Sequence, residues 1–350
     1  MKKLLILVTM LTGFCSYAQD TVKVATQLTP EQQAEADYNS GLERLKSNDY
    51  VTAIDFFTKS IANKPAFDKA LYNRSIALTQ AKRYAEALAD INNVIKIAPQ
   101  NQDAYFTKSL IFFAENKKDS QMVALDKCLG LKSGHAEANY YKGLLQYEAG
   151  EYKEAIASYD KAILSNGNYT YAYNDRGSAK RALQDYNGAV ADYEKAISLD
   201  GNQAFIYNNL GSAYRENKNY PKAAEAYSKA LQVNDKYLIA MVNRGASRMD
   251  AGNISAAKTD FDEVIKKDPN NSSAFNGLAS VFIKQKEYKK AKDMADKAIQ
   301  LNPKNGPAYY NRGIARQMLR EEEGSCADWK KAMELGVAAA KSFINSDCTE

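Results

Sequence analysis

Few residues of this sequence are suited to catalysis or metal binding. The chain of 350 residues has a single histidine, His135, and four cysteines. No cysteine or group of carboxylates stands near His135 at metal-ligand spacing, and a lone histidine in a turn is usually solvated. Carboxylate pairs are common on polar helix faces, without the nucleophile, base and oxyanion donors that catalysis combines. The sequence predicts no catalytic residue, no cofactor and no metal site, and it favours a protein that is not an enzyme.

An internal repeat determines where the other residues lie. Written in rows of 34 from Ala34 to Ala339, the sequence gives nine rows without insertion or deletion. Row positions 8, 20 and 27 are mostly small and position 24 is mostly large and apolar. Each row therefore predicts two closely packed helices, A and B, which must stack on neighbouring pairs to bury their apolar faces. The rows cover residues 34–67, 68–101, 102–135, 136–169, 170–203, 204–237, 238–271, 272–305 and 306–339.

The repeat resembles the tetratricopeptide repeat (TPR) family. In row five, Gly177, Tyr186, Ala189, Tyr193 and Ala196 stand at the family's positions. The family's prolines are matched by Pro65, Pro99, Pro269 and Pro303. The resemblance implies an all-α, right-handed superhelix in which the A helices line a concave groove and the B helices form the convex back. Row three departs most from the pattern, and we expect its helix pair to be the softest part of the chain.

Both ends of the repeat array have sequences typical of caps. Residues 19–33 form an N-terminal extension in which Thr29 to Gln32 predict a helix start with a reciprocal cap. Gly336 is predicted to end the last B helix. The remaining segment, 337–350, is predicted to form a short capping helix from Val337 to Asn345 and a tail.

Four rows combine an arginine at helix A position 7 with an aspartate at helix B position 23. A buried guanidinium without a partner is costly, so the coincidence predicts an ion pair inside each of these repeats. We interpret the arginines as structural, with ligand binding as the alternative. The predicted pairs are Arg74–Asp90, Arg176–Asp192, Arg244–Asp260 and Arg312–Asp328.

Three cysteines follow residue 18. Cys128 occupies a small core position, which predicts a buried free thiol. From Cys326 the chain runs forward about ten residues, turns at Gly336 and returns about ten, so at 1.5 Å per residue Cys348 comes back beside Cys326. We predict a Cys326–Cys348 disulfide that fixes the terminal helix as a lid, the alternative being two free thiols in a frayed tail.

The candidate binding site lies on helix A. The resemblance implies that row positions 2, 5, 6, 9, 12 and 13 face the groove, where the first rows are aromatic and the later rows rich in asparagine. Aromatic rings supply contact area and amides pair with an extended peptide backbone, although rings at helical spacing also pack between helices. The predicted partner-binding residues are Tyr38, Asn39, Tyr72, Asn73, Phe106, Phe113, Tyr140, Tyr147, Tyr171, Asn174, Phe205, Asn208, Asn209, Asn243, Asn276, Tyr310 and Asn311.

The first 18 residues are predicted to be an export signal. Lys2 and Lys3 precede an apolar run from Leu4 to Phe14, and small residues precede a cut after Ala18. An apolar run of this length is too short to span a bilayer, which needs about 20 residues. The net charge of +5 and the mixed charges of the groove disfavour nucleic acid and strongly charged partners.

We therefore expect an exported scaffold, periplasmic or secreted, that binds a protein or peptide segment without stable membrane insertion. The stretch from Cys326 to Ala332 resembles the closing repeat of exported bacterial TPR proteins, which favours a bacterial envelope. Two alternatives stay open: a structural subunit of an envelope assembly or homo-oligomer, and an accessory factor or enzyme of envelope glycan handling. The repeat specifies shape far more than ligand, so the sequence does not name the partner.

Overall fold

The computed structural model describes residues 28–348, apart from the side chain of Asp347, and all secondary structure in this range is helical. The predicted export signal lies outside these residues. Across residues 28–348, each helix is too short or too polar to cross a bilayer. The A helices are α1 (Pro30–Lys46), α3 (Asp68–Gln80), α5 (Gln102–Ala114), α7 (Ala136–Glu148), α9 (Thr170–Ala182), α11 (Ala204–Glu216), α13 (Leu238–Asp250), α15 (Ser272–Lys284) and α17 (Gly306–Met318). The B helices are α2 (Tyr50–Asn63), α4 (Tyr84–Ile97), α6 (Lys118–Leu131), α8 (Tyr152–Ser165), α10 (Tyr186–Leu199), α12 (Tyr220–Val233), α14 (Ile254–Lys267), α16 (Tyr288–Leu301) and α18 (Glu322–Glu334), and they are followed by α19 (Ala340–Asp347).

The chain divides into two compact units. The first unit ends at Pro99 and contains α1 to α4, whereas the second begins at Gln100 and contains α5 to α19. Within each unit, every A helix packs against the B helix of its own repeat, and that B helix packs against the following helix. The all-helical solenoid predicted from the repeat is confirmed.

The turn between helices A and B has the same backbone conformation in every row. The residue at row position 15 has a left-handed φ, and the backbone N–H after it returns to the A helix, as when Asp49 donates to the carbonyl of Arg44 at 2.9 Å. Only Gly150 and Gly252 are glycines at this position. The other residues with this conformation are Asn48, Lys82, Asn116, Gln184, Lys218, Lys286 and Arg320. Packing of the two helices therefore imposes the turn even where the side chain disfavours it.

Helix A position 8 and helix B position 24 share one volume. A Cβ added to Gly211 would lie 2.6 Å from Cε1 of Tyr227, closer than side chains allow. Each of the six rows with glycine at position 8 has an aromatic residue at position 24: Gly41–Phe57, Gly143–Tyr159, Gly177–Tyr193, Gly211–Tyr227, Gly245–Phe261 and Gly313–Trp329. The other three rows have the pairs Ser75–Ile91, Ser109–Leu125 and Ala279–Ala295. A larger side chain on one helix is thus matched by a smaller one on the other.

The predicted N-terminal cap is confirmed. The Oγ1 atom of Thr29 accepts a hydrogen bond from the backbone N of Gln32 at 3.2 Å, and the backbone N of Thr29 donates to Oε1 of Gln32 at 2.9 Å. Pro30 occupies the first turn, where its missing N–H is not needed. This reciprocal bonding satisfies two of the free donors at the start of α1.

The C-terminal capping helix is placed differently from the prediction. Gly336 has a φ of +88°, and the backbone N of Val337 donates to the carbonyl of Ala332 at 2.9 Å, so the chain turns sharply after α18. Residues 337–339 are used in this turn, and α19 therefore runs Ala340–Asp347 rather than from Val337 to Asn345. Phe343 of α19 packs on Trp329 with ring centroids 4.8 Å apart.

Candidate binding groove

The A helices form the inner side of the second unit. From α7 to α17, each A helix packs against the next A helix, and no two successive B helices of the described chain pack as closely. Neighbouring A helices therefore approach each other more closely than neighbouring B helices do, as expected for the concave side of a solenoid. The side chains on this face belong to neighbouring repeats and can act together.

A cavity of about 770 Å³ opens on this inner face. It is bounded by α11, α13, α15 and the first turn of α17, and each of these helices contributes residues at row positions 2, 5, 6, 9, 12 or 13. These are the positions that the resemblance assigns to the groove. Phe261 of α14 also lines the cavity. Of the predicted partner-binding residues, Asn243 and Asn276 line this cavity.

Most of the asparagines predicted to bind a partner hold neighbouring repeats together instead. Their Nδ2 atoms at position 6 donate to Oδ1 at position 5 of the preceding repeat, which forms a ladder along the A helices. Asn174, Asn208 and Asn311 are buried, with 4%, 8% and 8% of their surface exposed. Their amides are therefore not offered to a partner. The ladder pairs are Asn209–Asn174 at 3.0 Å, Asn243–Asn208 at 2.9 Å and Asn311–Asn276 at 2.8 Å.

The aromatic residues at position 5 serve the same purpose in the earlier rows. The hydroxyl of Tyr140 donates to Oδ2 of Asp175 at 2.8 Å, and burial raises the pKa of this tyrosine. Tyr38 accepts from Asn73 at 3.3 Å, and Phe106 packs on Tyr141 with centroids 5.8 Å apart. These rings are half-buried contacts between A helices. Tyr72 is also half-buried, whereas Asn39 is exposed.

Two of the predicted aromatic residues remain exposed on the inner face. Phe113 is 53% exposed and Tyr171 is 48% exposed, and the ring of Tyr171 stacks parallel to Phe205 with centroids 6.3 Å apart. Phe113 packs edge-on against Tyr141 at 5.5 Å, Tyr147 against Tyr152 at 5.3 Å, and Tyr310 against Phe343 at 5.6 Å. Among the predicted rings, the exposed area is therefore largest at Phe113 and Tyr171, and the half-buried ring of Phe205 lies beside Tyr171.

The carboxylate of Asp175 lies on the inner face in surroundings that disfavour its charged form. Burial raises its pKa, although hydrogen bonds from Tyr140 and from Nδ2 of Asn174 oppose the shift. Tyr140, Tyr159 and Tyr169 lie around it. Burial of a carboxylate costs stability in its charged form, and perturbed carboxylates of this kind are common at functional sites.

We predict that Asp175→Asn stabilises the protein at neutral pH. The folded-state pKa lies above the unfolded value of about 3.9, so the stability present below that value is lost as the pH rises through the folded-state pKa. Asparagine keeps an oxygen that accepts from Tyr140. The melting temperature of the variant should exceed that of the wild type at pH 7, and the difference should shrink towards pH ~3. Glu154→Gln, at an exposed position, is the control, and a lower melting temperature for Asp175→Asn at pH 7 would contradict the prediction.

His135 is not the solvated loop residue that the sequence suggests. Its side chain is buried, its ring packs on Phe106 with centroids 4.7 Å apart, and its Nδ1 atom accepts from the backbone N of Ala138 at 3.2 Å. The Nε2 atom lies 3.4 Å from Oδ1 of Asp103. His135 therefore caps the start of α7 and fills space between repeats.

The position-7 arginines each contact an aspartate of their own repeat and a residue of the preceding one. Arg244 donates from Nε and Nη2 to the carboxylate of Asp260 at 3.2 and 2.7 Å, and from Nη1 to Oγ of Ser228 at 3.0 Å. Hydrogen bonds to Asp192 and Asp160 outweigh the opposing effect of burial and raise the pKa of Arg176. These guanidinium groups are therefore used in contacts within and between repeats. The other pairs have shortest distances of 2.7 Å for Arg74–Asp90, 2.5 Å for Arg176–Asp192 and 2.6 Å for Arg312–Asp328.

In the structure the Sγ atoms of Cys326 and Cys348 lie 2.08 Å apart and their Cα atoms 5.7 Å apart. This contact lies between the end of α19 and α18. Cys128 is buried and unpaired, and burial raises the pKa of its thiol to about 11. The residues of the predicted bridge are therefore adjacent, and the third thiol is poorly reactive.

We predict that the chain from Gln19 onwards carries one disulfide and one free thiol when it is isolated without reductant. After denaturation, an alkylating reagent should modify Cys128 alone, and three thiols should react after reduction. Reduction should lower the stability of the C-terminal cap by up to about 3 kcal/mol, the scale for a loop of this size. Cys348→Ser serves as the control, and three alkylated thiols before reduction would exclude the bridge.

Sequence reasoning missed the residues that open the cavity. Gly277 is the only glycine at row position 6, and it faces Val242, the only aliphatic residue at row position 5. Met249 and Ser280 also line the cavity. Reading position 5 of each row against position 6 of the next would have revealed the interruption.

Comparison with known proteins agrees with the architecture. Tetratricopeptide repeat profiles match residues 38–102, 124–171, 204–237 and 248–312, and a TPR repeat profile matches 177–218. The crystal structure of a tetratricopeptide repeat protein from Parabacteroides merdae superposes with a TM-score of 0.63 at 20% identity, covering 70% of this chain and 98% of that one. That likeness shows the fold.

Curated relatives match over short segments. Tetratricopeptide repeat protein 28 of Mus musculus is 36% identical over 78 residues, and RNA polymerase II-associated protein 3 of Xenopus tropicalis is 37% identical over 70 residues. These segments are 22% and 20% of this chain, and the chain spans only 3% and 11% of the two relatives. The family profiles, in contrast, together match well over half of the chain. The chain belongs to the tetratricopeptide repeat family.

Proposed function

We propose that this protein is a non-catalytic binding scaffold that holds an extended segment of a partner protein along the inner face of its A helices. The observation that carries the proposal is the cavity of about 770 Å³, lined by the same row positions in successive A helices. Its volume lies within the range of ligand pockets, about 300–1,000 Å³. A surface that repeats from helix to helix suits a partner that is itself extended.

The chemistry of the inner face supports a peptide-like partner. Phe113, Tyr171 and Phe205 supply aromatic contact area in rows three to six. Asn243 and Asn276 place amide groups at the cavity, where a peptide backbone offers both N–H and C=O groups. The near balance of 47 basic and 42 acidic residues disfavours a polyanionic partner such as nucleic acid.

We propose further that the scaffold works outside the cytoplasm, in a bacterial periplasm or as a secreted protein. The support is the N-terminal sequence, with Lys2 and Lys3 before the apolar run, together with the pairing of Cys326 and Cys348. Disulfides persist in oxidising compartments. Purified from cells of its source, the mature protein should begin at Gln19 by N-terminal sequencing.

A second candidate function is that of a structural subunit of an envelope assembly or homo-oligomer. It is favoured by a depression of about 300 Å³ between α10, α11 and α12, lined by Tyr207, Leu210 and Tyr214. It lies where row six has Leu210 and Ala226 in place of an arginine–aspartate pair. A partner or a second copy could seat an apolar side chain there.

Photo-crosslinking in intact cells distinguishes these functions. A photoreactive residue replaces Phe113, Tyr171 or Ser273 on the inner face, or Lys222 beside the depression on α12. The first function predicts discrete adducts with one protein from the inner positions and none from Lys222. Adducts from Lys222 alone, or only with a second copy of the chain, would overturn it in favour of an assembly subunit.

A further inference from the structure

The ladder between the A helices is interrupted at one step. In the neighbouring steps the asparagine at position 6 bonds to the one at position 5 of the preceding repeat, as in Asn243–Asn208 and Asn311–Asn276. Between rows seven and eight the corresponding residues are Val242 and Gly277, which form no such bond. The cavity of the inner face lies at this step. The cavity therefore coincides with the one step between these rows that lacks an asparagine pair.

An aromatic ring forms part of the cavity wall at this step. Phe261 is fully buried and packs against both Gly245 and Gly277, so that a Cβ at either glycine would overlap the ring. Glycine at position 277 is thus required by Phe261. Val242 and Met249 complete an apolar surface within the cavity. A large apolar side chain from outside fits this surface and would remove it from water, gaining about 25 cal/mol for each Å² buried.

The polar walls retain unused hydrogen-bonding groups. Asn243 uses Nδ2 in the ladder, which leaves its Oδ1 atom as an acceptor, whereas Asn276 uses Oδ1 and leaves Nδ2 as a donor. Both residues line the cavity. One acceptor and one donor on opposite sides match the N–H and C=O groups of an extended peptide.

The charges at the cavity sum to one positive charge. Asp250 is neutralised by Arg215, whose Nε atom lies 2.6 Å from Oδ2 of the carboxylate. Lys284 is exposed at the end of α15 and has no acidic partner among the described residues. Gly277 and Lys284 are seven residues apart, about 10 Å along the helix, which about three residues of an extended chain span.

We propose that this cavity is a specificity site for a peptide segment with a large apolar side chain followed, about three residues later, by a carboxylate. The apolar side chain enters between Val242 and Gly277, the backbone bonds to Asn243 and Asn276, and the carboxylate pairs with Lys284. This inference rests on the proposed function, because it assigns a partner chemistry to the inner face.

Methyl NMR of the full protein tests the inference with defined probes. The probe is the capped tetrapeptide acetyl-Leu-Ser-Ser-Glu-amide, with the matched peptides that replace Leu by Ala or Glu by Gln. The methyl signals of Met249 and Val242 report on the cavity, and that of Met122 in another repeat is the internal control. We expect the first peptide, at millimolar concentration, to shift the cavity signals most.

Lys284→Ala tests the carboxylate contact without touching the core. It should weaken binding of the glutamate peptide about two- to fivefold, the scale of an exposed ion pair, and should abolish its advantage over the glutamine peptide. Lys289→Ala, at an exposed position in the same repeat, should change neither. Absent shifts at Met249, equal shifts with all three peptides, or a glutamate preference that survives Lys284→Ala would overturn the inference.

The crosslinking and NMR experiments distinguish failure of the specificity site from failure of the scaffold function. If Phe113 and Tyr171 give crosslinks but the methyl signal of Met249 does not shift, the specificity site is excluded and the scaffold function still stands. A peptide-selective shift of the Met249 signal supports the specificity site. If this shift is seen while only the crosslinker at Lys222 gives adducts, the scaffold function alone is excluded.

Discussion

Asp260→Ala should lower the free energy of unfolding by about 3–5 kcal/mol, the usual effect of removing one partner of a buried ion pair. The side chain of Asp260 is only 3% exposed, and its carboxylate accepts hydrogen bonds from Arg244 and, at 2.7 Å, from Arg248. Alanine would leave both guanidiniums without their counter-charge. Urea unfolding followed by circular dichroism measures the loss as a lower midpoint.

The chain itself offers a rescue for this variant. Row six has Leu210, Tyr214 and Ala226 at the positions of Arg244, Arg248 and Asp260, so the double variant Arg244→Leu with Asp260→Ala copies two of these three residues. Replacing a buried ion pair by apolar residues is often nearly neutral, but Arg248 still lacks its carboxylate, and we therefore expect the double variant to recover part of the loss. A double variant as unstable as Asp260→Ala would contradict this account.

An exposed ion pair provides the comparison for the stability cost of Asp260→Ala. Arg83 and Glu86 are about half exposed and 2.7 Å apart, and Glu86→Ala should lower the stability far less than Asp260→Ala does. The contrast with Asp260→Ala isolates the effect of burial, because both substitutions remove a carboxylate that binds an arginine. Equal costs would mean that burial does not determine the strength of the pair.

Residues within one row could be predicted from the sequence. The period of 34 aligns Arg244 with Arg176 and Asp260 with Asp192, and the coincidence of both residue types in the same rows needs no knowledge of how rows stack. The contacts from Arg244 to Ser228 and from Arg176 to Asp160 cross between rows and were not anticipated. Periodicity identifies equivalent positions but does not state which positions of adjoining rows touch.

The same limit explains why the contacts between the asparagines could not be predicted from the sequence. Asn174 and Asn209 are polar and recur on helix A, which is consistent with a groove that faces water. Stacking places position 5 of one row against position 6 of the next, and there the two amides satisfy each other while Asn174 is buried. Buried polar groups are almost always hydrogen-bonded, so a repeated polar residue also suits a structural ladder.

Local backbone geometry was not predictable for a related reason. Lys82, Lys218 and Lys286 adopt a left-handed φ in the turn after helix A, where glycine or asparagine would be expected from local preference. The packed helices fix both ends of the turn, and their contacts outweigh a local cost of about 1–2 kcal/mol. His135 is similar, since its burial depends on Phe106 of the preceding A helix.

Tyr227→Ala should also destabilise the protein strongly, by about 3–5 kcal/mol, as expected when a large buried ring is removed. Tyr227 is 1% exposed and packs among Ala223, Ala230 and Ala240 between rows six and seven. These neighbours are too small to fill the space that the ring would leave. Urea unfolding should show the loss, and Tyr84→Ala, at the start of α4, is a control outside this cluster.

The matched sizes of the residues at positions 8 and 24 provide a second test of the packing around Tyr227. Gly211→Ser should cost about 1–3 kcal/mol, because its Cβ would come within 2.6 Å of the Tyr227 ring. Combining Gly211→Ser with Tyr227→Leu copies the Ser109–Leu125 pair of row three and should be more stable than the sum of the two single losses predicts. Strict additivity would show that the two positions do not share one volume, and the pattern of glycine and aromatic residues along the rows would then need another cause.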